Sequence, residues 1–396
     1  MNTSTSVLKG FKGLNLQQNS EIKDGELVDA QNVVITQQET IKKRPGCQTV
    51  SGNLYSDLGN YARILINYGS LNPSANFLMV GSSSKIAALY RSSGTYTLGT
   101  TSVLSGSAES AIQYNDKVVI YSTGTSPITF DATSSTAGTY TQITGIAGSA
   151  DYQGKATFAI THKDRVFFLN NKGAYPSRLY YTTLSSTNDF TSAAAAYVEN
   201  NYIDIGEGDG DFLVCAAELN DALIVFKRFS TWILYTEGGP TTGWYLRKAH
   251  ATVGCTGRDT PYLITNLMYF LAGDGVYRTD GTTFEHISNP VDPGMVVPNG
   301  TFSADVCNRA AAVRWKDWYV VRKNYEDDRL AFVYGWRTNT WTLWNLPSYA
   351  GPMVNDFSNV SNAGMNYPSG VGGGGASVTS AASSELVYLD YKKVSV

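Results

Sequence analysis

Residues 267–287 read LMYFLAGDGVYRTDGTTFEHI, and this stretch decides the fold class. Its first five residues are apolar and aromatic, as in a buried strand, and the Gly-Asp-Gly that follows supplies a tight turn into the alternating residues 276–279. A second turn, Asp-Gly at 280–281, leads into a third strand over residues 282–287. Three short antiparallel strands cannot bury their own faces, so the stretch predicts a unit that packs against others like it.

A polar pair followed by an apolar strand recurs along the chain at intervals of 45 to 57 residues. The markers, one of them a single residue, are Asn115-Asp116, Lys163-Asp164, Asn220-Asp221, Asn266 and Lys316-Asp317. A repeat of this length with several strands per unit is typical of β-propeller blades. The sequence therefore predicts an all-β protein, a β-propeller of about six antiparallel blades.

Changes in composition divide the chain into four segments. Residues 1–28 are polar and turn-rich, and they predict an extended N-terminal arm, while residues 29–350 hold the propeller. Residues 351–384 shift to Gly, Ser, Asn and Ala, which predicts a flexible loop or linker, and residues 385–396 begin with one more strand. We expect this last strand to complete a blade begun by the N-terminal hairpin, because a closed ring removes two exposed sheet edges.

The totals exclude two broad classes of protein. The 396 residues carry 30 Lys and Arg against 33 Asp and Glu, a net charge of −3, so no basic field draws the chain onto nucleic acid or anionic lipid. A hydrophobic content of 42% excludes disorder over the whole length. The N-terminus lacks an apolar signal core and no apolar run approaches the ~18 residues of a membrane span, so we expect a soluble protein.

The cysteines argue against a zinc site or a disulfide scaffold. They are Cys47, Cys215, Cys255 and Cys307, at least 40 residues apart and without a CxxC pair. Reduced thiols fit this spacing better, although pairing across adjacent blades stays open.

The densest acidic cluster is the candidate metal site, with carboxylates at Asp204, Glu207, Asp209 and Asp211 separated by glycines. Such alternating oxygen ligands could surround a hard cation. The bidentate glutamate that an EF-hand places downstream has no counterpart, so a solvated turn between blades is the favoured interpretation, and cation binding stays open.

No residues are assigned to catalysis, to a cofactor or to a metal. The chain has no GxSxG, HExxH or P-loop motif, and its histidines, His162, His250 and His286, lie in different units. His162 stands close to Asp164, a neighbour that in a hairpin turn is most often a local hydrogen-bond partner. The basic Lys42-Lys43-Arg44 could touch a phosphate backbone, but before Pro-Gly an exposed turn is favoured. We therefore expect no enzyme and no cofactor.

Two other functions stay open. A carbohydrate-binding propeller for receptor recognition would use exposed aromatic residues, and the candidates are Trp244, Trp336, Trp341 and Trp344. Aromatic residues that alternate on strands more often fill the space between blades. A propeller glycosidase would need two carboxylates about 5–9 Å apart in a central pocket.

The N-terminal segment resembles a known family. Its motifs are FKGLN at 11–15, SEI at 20–22, DGEL at 24–27, AQNVV at 30–34 and IKKRPG at 41–46. This pattern is similar to the start of the β-propeller tail nozzle, tail tube and packaged-DNA stabilisation proteins of short-tailed bacteriophages, which complete the head-tail junction. GDGVY at 273–277 and DGTTF at 280–284 extend the likeness less specifically.

The resemblance implies a structural virion protein of the neck or tail, made in the bacterial host cytoplasm. Copies of it would form a ring, a hexamer that matches a twelve-fold portal and adaptor, and would retain the genome and conduct it during DNA ejection. Its partners would be itself, the portal, adaptor and other tail proteins, and double-stranded DNA that passes without sequence-specific binding. A slightly acidic subunit suits this passage, because each phosphate contact from Lys or Arg strengthens binding to DNA.

Overall fold

The computed structural model describes residues 10–18, 21–44, 46–49, 58, 63–71, 74–92, 95–114, 116–124, 126–144, 156–184, 197–198, 200–295, 310–322, 330–345, 353–356, 367–372 and 385–390. These residues form 32 strands. The helical elements include a short 3-10 turn at Asn289–Val291 and a single α-helical turn at Asp292–Met295. No helix in these ranges is long and apolar enough to cross a membrane.

The first five strands lie in the N-terminal segment. They are β1 (Gly13–Leu14), β2 (Glu26–Leu27), β3 (Val33–Ile35), β4 (Ile41–Lys43) and β5 (Gly46–Thr49). β1 pairs with β2 in parallel, and β3 pairs with β4 as the hairpin that the sequence predicts.

The described strands also form seven four-stranded antiparallel sheets, numbered here along the chain. Sheet 1 contains β6 (Ile64–Leu71), β7 (Ser74–Gly81), β8 (Lys85–Ser92) and β9 (Thr95–Val103). Sheet 2 contains β10 (Ala108–Tyr114), β11 (Lys117–Ser122), β12 (Ile128–Ala132) and β13 (Gly138–Gln142). Sheet 3 contains β14 (Phe158–His162), β15 (Arg165–Leu169), β16 (Arg178–Tyr181) and β17 (Tyr202–Asp204).

The remaining sheets follow the same order. Sheet 4 contains β18 (Leu213–Leu219), β19 (Ala222–Lys227), β20 (Thr231–Tyr235) and β21 (Tyr245–His250). Sheet 5 contains β22 (Tyr262–Ile264), β23 (Leu267–Leu271), β24 (Val276–Thr279) and β25 (Phe284–His286). Sheet 6 contains β26 (Ala311–Trp315), β27 (Trp318–Arg322), β28 (Leu330–Gly335) and β29 (Thr340–Asn345). Sheet 7 contains β30 (Met353–Asp356), β31 (Tyr367–Gly372), β32 (Glu385–Asp390) and β5.

The recurring polar pair is the turn between the first and second strands of sheets 2 to 6. Backbone φ is positive at these turns, on Asp116 (59°), Asp164 (59°), Asn220 (54°), Asn266 (64°) and Lys316 (52°). Positive φ is what tight two-residue hairpin turns require, and short polar residues tolerate it best. The three strands predicted over residues 267–287 are confirmed as β23, β24 and β25, paired antiparallel.

The architecture is all-β and propeller-like. The first strand of each sheet contacts the first strand of the next, from β6 through β10, β14, β18, β22 and β26 to β30, and β30 also contacts β6. The first strands are therefore innermost. The core lies between the faces of neighbouring sheets, where Phe226 of sheet 4 meets Phe270 of sheet 5 with ring centroids 4.7 Å apart.

Strand direction gives every sheet two distinct ends. We call the end where the first strands begin the entry end, and the opposite end the exit end. Because the strands alternate in direction, the entry end carries the connections between sheets and those between second and third strands. The polar hairpin turns all lie at the exit end.

Sheet 7 joins the two ends of the chain. β32 pairs with β31 on one side and with β5 on the other, with Val387 opposite Thr49 and Asp390 opposite Gly46. β30 and β31 lie inside residues 351–384, so the predicted loop contains two strands. Their Gly- and Ser-rich composition conceals the periodicity of a strand, and for this reason the sequence predicts about six blades where the described strands form seven sheets.

The described part of the N-terminal arm packs against its own chain. Leu14 is 2% exposed, β1 contacts β29, and the backbone N–H of Leu16 donates to the carbonyl of Pro290 at 2.6 Å. Residues 10–18 and 21–28, predicted from sequence as an extended arm, thus pack on their own chain at several points. Residues 1–9 and 19–20 lie outside the described part of the chain.

Candidate functional site

A buried ion pair at the entry end joins sheets that are not neighbours. Glu109 lies near the start of β10 in sheet 2, and Arg258 precedes β22 of sheet 5. Arg258 Nη1 is 3.1 Å from Glu109 Oε2 and donates to the carbonyl oxygen of Thr157, before β14 of sheet 3, at 3.0 Å. Sheets 2 and 5 are not neighbours in the series of first-strand contacts, so the pair lies on the inner side of these strands, where an axis of the propeller-like arrangement would run. We call this group the axial cluster.

Three more charged residues complete the axial cluster. Lys172 Nζ and Arg63 Nη1 lie 3.4 and 3.6 Å from Glu109 Oε1, and Asp259 Oδ2 lies 3.0 Å from Arg258 Nη2. The side chains of Glu109 and Arg258 are 5% and 4% exposed. Burial alone would lower the pKa of Arg258, but the carboxylates of Asp259 and Glu109 raise it above its usual value, so the guanidinium stays charged.

The acidic loop of residues 204–211 holds a lysine. The Lys227 ammonium is fully buried at the end of β19, and its Nζ lies 2.5 Å from Asp209 Oδ1. It also donates to the carbonyl oxygens of Ile205 and Gly206 at 3.1 Å each, and to Ser177 Oγ at 3.2 Å. The place that a bound cation would take is therefore occupied by a side chain of the protein.

The other carboxylates of this loop have different environments. Asp204 binds the Arg178 guanidinium with both oxygens, at 2.8 and 3.1 Å. Asp211 accepts the backbone N–H of Phe212 and of Phe229, each at 2.9 Å. Glu207 is exposed, and the described residues give it no partner. Within the described ranges no group of three or more potential ligands is placed to hold a metal ion.

A cleft of about 320 Å³ opens beside this loop at the entry end, between sheets 3 and 4. Two segments line it, residues 174–178 and residues 204–212. The Arg178 guanidinium lies between two rings, 4.0 Å from the centroid of Tyr175 and 3.6 Å from that of Tyr202. The wall that contains Arg178 is thus held in place by an ion pair and by stacking on two rings.

The three histidines lie apart, and each has a local partner. His162 is buried at the exit end, with Nδ1 2.7 Å from Glu218 Oε1 and Nε2 2.8 Å from Thr236 Oγ1, rather than bonded to Asp164. His250 Nδ1 accepts the backbone N–H of Val253 at 2.9 Å.

His286 lies near a serine and an aspartate, yet the three do not form a catalytic triad. Its Nε2 is 3.1 Å from Ser288 Oγ and 3.3 Å from Asp292 Oδ1, so one ring nitrogen faces both residues. The Ser288 hydroxyl donates to Asp292 at 2.5 Å and is fully buried. A nucleophile needs a free base and access to substrate, and this serine has neither.

The tryptophans proposed as sugar platforms mostly pack inside the protein. Trp341 and Trp344 are buried, and their Nε1 atoms donate to the carbonyl oxygens of Ile287 and Val33 at 2.8 and 3.1 Å. Trp244 packs on Tyr181 with centroids 4.8 Å apart. Trp336 packs partly buried against the core between sheets 5 and 6, with the Arg337 guanidinium 4.7 Å from its ring.

The cysteines of sheets 4 and 5 are not bridged. Cys215 and Cys255 are free and buried, and burial raises the pKa of Cys215 well above its usual value, which keeps it a thiol. The side chains of Cys47 and Cys307 lie outside the described residues.

Two of the motifs of the N-terminal segment meet in one structural contact. Asn32, in the AQNVV motif, accepts Arg44 Nε at 2.6 Å and the backbone N–H of Asn345 at 2.9 Å through its Oδ1. Arg44, in the IKKRPG motif, donates from Nη2 to the carbonyl oxygen of Asn345 at 2.7 Å. We call these three residues the N-terminal clasp. It holds the β3–β4 hairpin on the outer edge of sheet 6, just before the chain enters β5.

The clasp corrects one expectation from sequence, that residues 42–44 form an exposed turn. Arg44 is bound within the protein, whereas Lys42 and Lys43 are exposed. The axial cluster has no signature in the sequence, because its members are separated by up to 196 positions and stand beside several different strands. The one sequence feature that indicates burial of Lys227 is its position at the end of the apolar run ALIVFK.

Comparison with known proteins adds no family. No family model matches the sequence, and no curated protein matches it. Among solved structures, the crystal structure of the computationally designed Ika8 protein is similar with a TM-score of 0.48 and 12% identity, over 86% of this chain and 99% of that one. YCF48 bound to D1 peptide is similar with a TM-score of 0.48 and 11% identity, over 90% of this chain and 98% of that one.

Proposed function

We propose that this protein is a structural subunit of the neck or tail of a short-tailed bacteriophage, a nozzle or head-completion protein. Several copies form a ring, a hexamer under a twelve-fold portal and adaptor, and this ring retains the packaged DNA and conducts it during ejection. The alternatives are a carbohydrate-binding propeller whose main role is receptor recognition, which predicts no role in retaining DNA, and a propeller glycosidase, which predicts turnover.

The observation that carries the proposal is the N-terminal clasp. The motifs that resemble the phage proteins are spread over residues 11–46, and the residues that meet in the clasp come from two of them. A resemblance that rests on residues with structural contacts fits a protein with a structural role. It fits an enzyme family less well, because there the residues of an active site would carry the likeness.

The proposed ring of blades within one subunit extends the propeller-like arrangement. We infer that the seven sheets close around one axis, with β5 from the N-terminal segment as the outer strand of the last blade. Support comes from the pairing of β5 with β32 and from the contact of β30 with β6. Closure by both ends of the chain leaves no sheet face uncovered, and it locks the termini together.

The charge distribution suits a subunit that DNA passes without binding tightly. In this proposal the DNA channel lies between subunits, and the chain carries 30 Lys and Arg against 33 Asp and Glu. A subunit without an excess of cations makes fewer phosphate contacts than a basic one and slows the passage of DNA less.

The test is quantitative mass spectrometry of purified phage particles that encode the chain. The proposal expects six copies for each twelve copies of the portal protein. Absence of the chain from particles that are complete and infectious would overturn it. As a second readout, particles assembled without the chain should package DNA and then lose it, as measured by nuclease-sensitive DNA in the particle fraction.

A further inference from the structure

We propose that the cleft between sheets 3 and 4 is a binding site for a neutral saccharide. This site belongs to a single copy of the chain, and it holds whether or not the copies form a ring. It lies in a cleft lined by described residues, and nothing in the structural proposal uses it.

The walls of the cleft are rigid before any ligand arrives. Lys227 holds the loop of residues 204–212 from beneath through Ile205, Gly206 and Asp209, and its Nζ also contacts Ser177 of the other wall. Gly206, Gly208 and Gly210 all have positive φ, at 60°, 79° and 75°, so the loop follows a path that other residues adopt with strain. Arg178 fixes the other wall through Asp204 and the two tyrosine rings. Preorganised walls lower the entropy that binding costs.

Two aromatic rings remain exposed beside the cleft. Tyr175 is 45% exposed and lines it, and Phe229 is 49% exposed and lies next to it through its backbone bond to Asp211. Each ring has an arginine against it, Arg178 at 4.0 Å from Tyr175 and Arg228 at 4.1 Å from Phe229. A guanidinium covers one face of a ring, so the exposed area leaves the other face for a flat apolar partner, such as the C–H face of a sugar ring.

Two carboxylates of the cleft can accept further hydrogen bonds. Glu207 has no partner among the described residues, and each Asp211 oxygen accepts one backbone N–H and keeps a lone pair. The two cations in the lining and beneath it, Arg178 and Lys227, are bound to Asp204 and Asp209. The free carboxylate capacity favours a ligand with hydroxyl donors over one with a negative charge, which describes a neutral sugar.

The stacked arginines also disfavour a cationic peptide. A lysine or arginine side chain would seek the negative face of an aromatic ring. On Tyr175 and Phe229 that interaction is already made by Arg178 and Arg228, and a further cation would be repelled by Arg228, which has no carboxylate partner in the described part of the chain. The volume of about 320 Å³ suits one or two sugar rings.

The test is binding of the purified full-length chain to an array that carries neutral, sialylated and sulfated oligosaccharides together with lysine- and arginine-rich peptides. We expect retention on neutral oligosaccharides alone, with a dissociation constant on the order of 1 mM or tighter by calorimetry for the best of them. Retention on the peptides or on the acidic sugars instead, or on nothing at millimolar concentration, would overturn the proposal.

Matched variants locate the site. Tyr175→Ala should weaken binding by about tenfold, because one stacked ring is lost. Glu207→Gln should weaken it by about threefold, because the neutral amide is a poorer acceptor. Tyr245→Ala is the control, since Tyr245 is 60% exposed at the exit end of the same sheet, and it should bind like the unmodified chain. Equal losses in Tyr175→Ala and Tyr245→Ala would place binding elsewhere and refute the assignment.

Discussion

Replacing Glu109 by glutamine would break the axial cluster with little change of shape. In the native protein the Glu109 carboxylate is 5% exposed and has three cations within 3.6 Å, from Arg63, Lys172 and Arg258. Glutamine keeps an oxygen that can accept hydrogen bonds, but it removes the negative charge. The Arg258 guanidinium, 4% exposed, would then have only Asp259 to balance its charge.

The size of the loss follows from the burial of each partner. Breaking a buried ion pair by removing one member costs about 3–5 kcal/mol. Lys172 and Arg63 are 43% and 36% exposed, so solvent screens them and they add little, of order 0–1 kcal/mol together. Because Asp259 remains and the amide still accepts, we expect the lower end of this range. The predicted loss in the free energy of unfolding for Glu109→Gln is about 3 kcal/mol.

The assay is urea unfolding at pH 7, followed by tryptophan fluorescence. Glu285→Gln is the control, because it removes an ion pair with Arg278 in which Glu285 is 55% exposed, and it should cost about 0.2–1 kcal/mol. The double variant Glu109→Leu with Arg258→Met should recover at least half of the loss, since apolar pairs of similar volume replace buried ion pairs well. If Glu109→Gln costs no more than Glu285→Gln, the axial cluster does not hold the sheets together and the reasoning fails.

Three further predictions concern the clasp and two titrating groups. Asn32→Ala should lower the free energy of unfolding by about 2–3 kcal/mol and expose residues 10–44 to protease. It removes two side-chain hydrogen bonds and leaves alanine at a backbone φ of 56°. Asn32→Gly loses the same hydrogen bonds but adopts this φ without strain, so it should lose less. The pKa of Asp209 lies below its usual 3.8, because hydrogen bonds and charge from Lys227 outweigh the burial that would raise it, so its contribution to stability should persist from neutral pH down to that value and disappear as pH falls through the folded pKa. Urea unfolding should therefore show a smaller acid-dependent loss in Asp209→Asn than in the native chain, because Glu26 and Asp280, whose pKa values are also lowered, still contribute in both. The hydrogen bond to Asp292 raises the pKa of His286 above 6.5, so its contribution should be full below pH 6.5 and be lost as pH rises through the folded pKa; a His286→Asn variant should show a flat profile over that window.

The fold was readable from sequence where turn chemistry and apolar strands repeat. The polar pairs, from Asp116 to Lys316, occupy backbone positions with positive φ, and few residue types tolerate these positions. The repeat therefore located the second strand of sheets 2 to 6 correctly. It failed in sheet 7, where β31 reads YPSGVG and has neither an apolar alternation nor a marker pair.

The site could be predicted only in part, because its contacts depend on the arrangement of sheets. The acidic loop is recognisable as carboxylates spaced by glycine, but its contact with Lys227, 16 or more positions downstream, depends on how the end of β19 packs beneath the loop. The Glu109–Arg258 pair joins positions 149 apart, and only the meeting of non-neighbouring sheets near the axis brings them together. Local sequence patterns predict turns and strands. Contacts between residues of non-neighbouring sheets become visible only in the three-dimensional structure.

The central claim, that this chain is a ring-forming virion subunit rather than a catalyst, is tested most directly by cryo-electron microscopy of the purified full-length protein mixed with its portal and adaptor. The account predicts a ring of six subunits around an open channel, each subunit a wheel of seven four-stranded blades. Isolated monomers that leave the portal and adaptor unoccupied at micromolar concentration would contradict it.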